Sequence, residues 1–183
     1  MGIFFQRFGI YGEKISPYFK QLKRDVNTKT TSNNLENIDI EIPFLNFKIL
    51  EQKRSEALKT SKLINNDQFV SASANYKGEK VKIKIRLKGY YIGHLKGDKW
   101  SFRIKVNSEK TIMGMKQFSL HHPSQRLYLN EWLYHKIMGS QDIISLRYDF
   151  LNVKVNGKVL GIYAIEEHFD RRLIENNKRK ESI

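Results

Sequence analysis

Apolar and polar residues alternate along several short segments of the chain, which predicts β-strands with one face turned toward a core. In the clearest two, 81–88 and 100–106, apolar residues alternate with Lys, Arg and Ser. Further strands are predicted at 38–42, 69–76, 147–155 and 159–165, with a short run at 117–120. Lys77-Gly78-Glu79 and Asn156-Gly157 are turn signals, so the strands on either side of each are expected to form hairpins.

Helical periodicity marks three other segments. A helix is predicted from Phe47 to Thr60, and another from about Glu166 to Asn176. Between them, Pro123 and Ser124 open a strong helix that Gly139 is placed to stop. Its predicted buried stripe consists of Leu129, Trp132, Leu133, Ile137 and Met138. The order of elements predicts an α+β domain whose mostly antiparallel sheet is packed with helices.

Composition bounds the class of protein. The 183 residues include 40% hydrophobic and 12% aromatic residues, enough for one domain with a packed core. The chain contains no cysteine, which excludes disulfides, thiolate catalysis and cysteine-based metal sites. We find neither the roughly 20 consecutive apolar residues of a membrane span nor a convincing signal peptide. These features leave the compartment undetermined.

Positive charge is concentrated in one part of the chain. The formal net charge is +14, and residues 76–110 carry eleven Lys or Arg against three acidic residues, a net of +8. The polar faces of strands 81–88 and 100–106 are almost entirely cationic, and their connecting loop contains Gly89, Gly93 and Gly97. A clustered excess of this kind favours an anionic ligand held between the sheet face and the loop. A nucleoside triphosphate and a nucleic acid are the two candidates.

Histidine pairs are weaker signals. His121 and His122 are adjacent, so on an extended segment their side chains face opposite ways. No Asp, Glu or His partner follows at the spacing of metal ligands, and no histidine metal site is predicted.

Five segments in order resemble the spore coat protein H (CotH) kinase family, over roughly residues 38–177. The similarity lies in Arg86-Leu-Lys-Gly89, Lys99-Trp-Ser-Phe-Arg-Ile-Lys105, Met113-Gly-Met-Lys-Gln-Phe, the helix at Leu129–Met138 and Val155-Asn-Gly-Lys-Val-Leu-Gly-Ile-Tyr-Ala-Ile-Glu-Glu167. Members resemble atypical protein kinases that phosphorylate secreted or coat proteins. The resemblance therefore implies an ATP-binding lobe like the N-terminal lobe of such a kinase, and a location in the cell envelope or spore coat.

The same resemblance implies roles for particular residues. Lys105, with Lys99 as the alternative, is expected to meet the phosphates of ATP, and a helix glutamate, Glu131, could pair with Lys105. Glu167 is expected near the hinge to a second lobe. The remaining expected nucleotide-binding residues are Arg86, Lys88 and Arg103 on the strands, covered by Gly89, Gly93 and Gly97 of the loop.

The chain also departs from the family pattern. Trp100 stands where a second lysine is expected, so one cation is missing. We expect a flexible linker at 1–37, the kinase-like lobe at 38–177 and a basic tail at 178–183 that ends before a C-terminal lobe. The acidic residues that bind Mg²⁺ are expected on that second lobe, so Mg²⁺ is expected only with it, and this chain alone is expected to be inactive.

Two other classes of function remain open. One is a non-catalytic module that binds nucleic acid or another polyanion through the basic face. Aromatic residues between the cations would favour that module, whereas the apolar face of 81–88 is aliphatic. The other is a structural component of a coat or envelope that keeps the fold without a ligand.

Overall fold

The computed structural model describes residues 35–64 and 66–179, which contain seven strands, three α-helices and two 3₁₀ helices. The strands are β1 (Asn37–Glu41), β2 (Val70–Tyr76), β3 (Glu79–Leu87), β4 (Phe102–Val106), β5 (Gln117–His121), β6 (Tyr148–Val155) and β7 (Lys158–Glu167). The helices are α1 (Phe44–Thr60), α2 (Asn130–Ser140) and α3 (Arg171–Asn176), with 3₁₀ turns at Ile92–His94 and Pro123–Arg126. The predicted linker lies almost wholly outside the described residues, as does the end of the predicted basic tail.

The strands close into a barrel in the order β1-β2-β3-β4-β5-β7-β6. Closure occurs because β1 pairs with β2 on one side and with β6 on the other. The β1–β6 ladder is parallel, and the other six ladders are antiparallel. Alternate side chains of every strand therefore point into one shared interior. The fully buried residues there include Ile40, Ile85, Ile104, Phe118, Leu120, Leu151 and Tyr163.

The predicted fold class is wrong. We predicted an α+β domain with a mostly antiparallel sheet and packed helices, like the N-terminal lobe of an atypical kinase, and the structure is a closed barrel of mixed strands with small peripheral helices. Alternation reports which face of a strand is apolar, but it does not report whether the first strand meets the last. Each helix contributes few buried side chains: Leu50 and Ala57 from α1, Trp132 from α2 and Leu173 from α3.

The strand predictions are confirmed along the chain to within a few residues. The turn between β6 and β7 is formed by Asn156 and Gly157, both with positive φ (46° and 82°), as a tight hairpin of this sequence requires. None of the helices in the described part of the chain has the length and apolar character of a membrane span.

The helix predicted between Pro123 and Gly139 is wrong at both of its boundaries. The helix expected from Pro123 is interrupted at Leu127 and Tyr128, whose positive φ angles (52° and 59°) end the 3₁₀ turn, so α2 begins at Asn130. α2 also passes the expected stop at Gly139, and of its predicted stripe only Trp132 is buried.

The third helix starts later than predicted. Glu166 and Glu167 still belong to β7, and α3 begins at Arg171 after Asp170. The Asp170 carboxylate accepts a hydrogen bond from the Leu173 amide (3.3 Å), which is a normal N-cap. The outer face of β7 therefore extends as far as Glu166.

Candidate functional site

Cationic side chains cover the outer surface of the barrel where β3 and β4 meet. The inward residues of β3 and β4 are apolar, so their alternate residues face outward together. We call Lys84, Arg86, Lys88, Arg103 and Lys105 the cationic face.

Like charges lie directly opposite each other on this face. Arg86 is the cross-strand partner of Arg103, and Lys84 is the partner of Lys105. Opposed like charges destabilise a strand pair. Burial adds to the cost, because it lowers the pKa of both arginines by disfavouring their charged forms. An anion bound here would relieve both costs.

The row of outward-facing residues that starts with Arg86 and Arg103 continues over the neighbouring strands to an acidic residue. Arg103 is opposite Ser119 on β5, and Ser119 is opposite Glu166 on β7. The Lys88 ammonium donates to the Glu166 carboxylate at 3.0 Å, and both side chains are nearly buried, with 13% and 15% exposed. Glu166 is thus the acidic centre of a largely cationic surface.

Three basic side chains surround the Glu166 carboxylate. In addition to Lys88, His121 Nδ1 lies 3.7 Å from it, and Arg126 Nη2 lies 4.0 Å from it. Burial opposes ionisation of Glu166, but the charge and hydrogen bond of Lys88 and the charge of Arg126 outweigh it and lower its pKa. Burial also lowers the pKa of Lys88, although Glu166 opposes this change. Glu166 is therefore ionised at neutral pH and accepts the hydrogen bond of Lys88.

Several buried donors on and around the cationic face have no hydrogen-bond partner among the described residues. They are Nε of Arg86, Arg103 and Arg126 and the hydroxyl of Ser119. Buried polar groups in folded proteins are nearly always hydrogen-bonded, so unpartnered donors need an explanation such as a bound group. Guanidinium groups bind phosphate oxygens well because they offer planar, charged donors.

An aromatic ring lies beside the cationic face. The Arg86 guanidinium is 5.2 Å, and the Lys105 ammonium 4.7 Å, from the centroid of the Phe69 ring. Such contacts favour the position of both cations over the ring face. Phe69 directly precedes β2 and contacts one cation from β3 and one from β4.

The glycine-bearing loop is attached to the barrel. The carbonyl of Leu95, which is fully buried, accepts from Arg54 Nε of α1 (2.8 Å), and the Gly97 carbonyl accepts from Arg54 Nη2 (3.1 Å). Gly93 is held by Gln125, whose side-chain amide donates to its carbonyl at 3.2 Å. Gly89 has φ 107° and lies so close to the His94 ring that no side chain fits there.

Trp100, which stands where the family pattern has a lysine, packs against α1. Its ring stacks on Phe47 of α1, with centroids 5.7 Å apart and an interplanar angle of 9°. The Arg54 guanidinium lies 4.7 Å from its centroid. Trp100 therefore helps to fix the loop against α1.

Three predicted site residues make other contacts. The Lys99 ammonium donates to the Ile162 carbonyl at 3.1 Å. Glu131 lies 3.6 Å from His135 Nε2. Glu167 is almost completely buried, and its oxygens accept from the backbone and guanidinium of Arg147. Their roles in nucleotide binding stay predictions, whereas Arg86, Lys88, Arg103 and Lys105 are brought together.

Sequence reasoning missed Glu166, His121, Arg126 and Tyr148. The alternation in β7 could have identified Glu166. Tyr163 and Ile165 point into the barrel, so a strand that continues past Ile165 places Glu166 on the outer face. His121 alternates in the same way with Leu120 on β5, and its Nε2 lies 3.2 Å from the Tyr148 hydroxyl.

Mild acid should destabilise the fold through His121. Burial, reinforced by the charge of Lys88, lowers the pKa of His121 to about 3, so this ring stays neutral when folded. An unfolded histidine titrates near 6.5, so below that pH the unfolded state binds more protons and stability falls as pH decreases. We expect a slope of up to about 1.4 kcal/mol per pH unit from His121 between pH 6.5 and 5.

Urea denaturation at several pH values measures this slope. The His121→Gln variant is the control, because glutamine keeps a polar group beside Tyr148 and Glu166 but does not titrate. Its slope should be smaller than that of the wild type, and His94 and His135, whose pKa values burial also lowers, should account for part of what remains. Equal slopes would contradict the assignment.

Within residues 35–64 and 66–179, no cluster of three or more His, Cys, Asp or Glu side chains could hold a metal ion.

Comparison with known families gives one match. Residues 85–183, just over half of the chain, match the family model described as CotH kinase protein. No curated protein matches the chain. The matched region starts within β3 and includes the cationic face from Arg86 onward, together with Glu166.

Proposed function

The chain belongs to the CotH kinase family, and we propose that its cationic face binds the triphosphate of ATP. The observation that carries this proposal is the row of opposed, half-buried arginines with unpartnered donors beside the Lys88–Glu166 pair. A phosphate chain carries several negative charges and acceptor oxygens, so it matches both the charge and the missing hydrogen bonds.

The Lys88–Glu166 pair supports a kinase-like arrangement. In protein kinases a strand lysine contacts the phosphates and is held by a glutamate in an ion pair. Here the glutamate comes from the strand β7, whereas the helix residue Glu131 lies beside His135. We assign Lys88 as the lysine held in this way, and Arg103, Arg86 and Lys105 as the additional phosphate donors.

The proposal concerns binding. Arg86 and Arg103 would contact phosphate oxygens directly, and Phe69 would keep Arg86 and Lys105 oriented. No phosphoryl-transfer step is part of the proposal.

Arg103→Ala should weaken ATP binding by about tenfold or more. A charge-assisted hydrogen bond contributes roughly 1.5–3 kcal/mol, and loss of 1.4 kcal/mol is a tenfold loss of affinity. Calorimetric titration at moderate salt would measure the dissociation constants. The variant should remain folded, because the change removes one of two opposed buried guanidinium groups.

Lys82→Ala is the matched control. Lys82 projects from the same face of β3 but lies opposite Ser73 and is exposed. If ATP occupies a site, Arg103→Ala and Lys105→Ala should each weaken binding more than Lys82→Ala does. Charge alone would make the losses similar and equally screened by salt. Similar losses, or tighter binding of single-stranded DNA than of ATP, would contradict the proposal and favour a polyanion-binding module.

A further inference from the structure

Three exposed lysines on the outer surface of the barrel have no acidic partner among the described residues. They are Lys82 and Lys84 of β3 and Lys105 of β4, which we call the lysine strip. The next outward lysine of β3 differs, because Lys80 pairs with Glu41 at 3.0 Å. The fold thus neutralises the neighbouring lysine and leaves the charges of the strip uncompensated.

The row of cations on β3 is longer than a triphosphate. Lys82, Lys84, Arg86 and Lys88 alternate along the strand, so consecutive members lie about 7 Å apart and the whole row spans about 20 Å. The phosphates of ATP are assigned to the end of the row that contains Arg86 and Lys88. A chain of three phosphates is much shorter than the row, so Lys82 lies beyond its reach and is available to a second anionic group.

The lysine strip is narrow. On β2, the residues opposite Lys82 and Lys84 are Ser73 and Ser71, which are small and uncharged. On the far side of β2, Glu41 of β1 lies opposite Ser73. A membrane or another broad anionic surface would therefore also meet the Glu41 carboxylate, which would repel it. A single extended chain can follow β3 and avoid this carboxylate.

The surroundings of the strip do not resemble a site for single-stranded nucleic acid. Proteins that bind such strands combine cations with aromatic rings on which successive bases stack. The residues opposite Lys82 and Lys84 on β2 are serines, and the Phe69 ring is in contact with Arg86 and Lys105. A polypeptide needs no stacking partner and fits the strip better.

We propose that the lysine strip binds an extended acidic segment of a partner protein beside the ATP site. In an extended chain, alternate side chains lie about 7 Å apart on one face, so Asp or Glu at every second position matches the spacing of Lys82 and Lys84. The assignment rests on the proposed function in one respect, since the phosphates occupy the other end of the same row. Lys105 lies between the two ends and can contact either anion.

A labelled peptide of alternating Glu and Ser is the probe, and fluorescence anisotropy would measure its binding to the full chain at moderate salt. Lys82→Glu should weaken peptide binding about fivefold or more, because it replaces attraction by repulsion of the nearest carboxylate. Lys59→Glu is the matched control: Lys59 is exposed on α1, and its substitution changes the net charge equally. Arg103→Ala should show the opposite preference and weaken ATP binding more than peptide binding.

The outcomes separate this assignment from the proposed function. Equal effects of Lys82→Glu and Lys59→Glu, or failure of the peptide to bind the wild-type chain, would overturn the lysine strip and leave the phosphate site standing. Tighter binding of oligothymidylate or of phosphatidylserine vesicles than of the peptide, with the same dependence on Lys82, would overturn the assignment to a polypeptide. Failure of ATP to bind a chain that binds the peptide would overturn the proposed function alone.

Discussion

Replacing Glu167 with Ala should lower the free energy of unfolding by about 3–5 kcal/mol, the usual loss when one partner of a buried ion pair is removed. Glu167 is 3% exposed, and its carboxylate accepts from Arg147 Nη2 (2.5 Å), Nε (3.1 Å) and backbone amide (3.1 Å). The Arg147 guanidinium also donates to the Gly114 carbonyl (3.1 Å). The substitution would leave these donors without their acceptor, and urea denaturation would measure the loss.

Glu41→Ala is the control for this experiment. Glu41 pairs with Lys80 at 3.0 Å, but both side chains are mostly exposed, and such pairs contribute roughly 0–1 kcal/mol. The Arg147→Ala variant completes a double-mutant cycle, in which the two single losses should not add. A loss below about 1 kcal/mol for Glu167→Ala would show that water replaces the pair at no cost.

The positions and phases of the strands could be predicted from sequence. Alternation in 81–88 and 100–106 assigned Arg86 and Arg103 to one face, and the structure places them opposite each other. Local periodicity is sufficient for this because the apolar faces of these strands are continuous. Closure of the barrel could not be predicted, since it depends on pairing between β1 and β6, which are more than a hundred residues apart.

The acidic partner was not predicted because the end of β7 was interpreted as the start of a helix. In a helix the side chains of Glu166 and Glu167 would project about 100° apart, whereas in a strand they point to opposite faces. Glu166 therefore accepts a hydrogen bond from Lys88 on the outer surface of the barrel. Glu167 points the other way and accepts from Arg147. Because β7 continues to Glu167, Glu166 lies at the candidate ligand site and Glu167 makes a structural contact.

The glycine loop shows a different limit of sequence reasoning. Its three glycines predicted a flap, but the contacts that hold it come from Arg54 on α1 and Gln125 after β5. Neither residue is close to the loop in sequence. The Arg54 guanidinium donates to the carbonyls of Leu95 and Gly97 and lies over the Trp100 ring. Its charge is therefore spent on holding the loop and is not part of the cationic face.

Trp132→Ala should destabilise the protein by about 3–5 kcal/mol, the usual cost of emptying a large buried aromatic site. Trp132 is 4% exposed, although the other residues of its predicted stripe are only partly buried or exposed. It is the one buried residue of α2. Thermal and urea denaturation would measure the loss.

Trp132→Phe distinguishes packing from hydrogen bonding at this position. The indole Nε1 is buried and has no hydrogen-bond partner within residues 35–64 and 66–179. Replacing the indole by a phenyl ring should therefore remove no hydrogen bond and cost well under half of the alanine effect. A Trp132→Phe loss equal to that of Trp132→Ala would mean that the indole nitrogen has a partner in solution. A Trp132→Ala loss below about 1 kcal/mol would mean that α2 is held by its other contacts, among them the Tyr148 ring that stacks on His135.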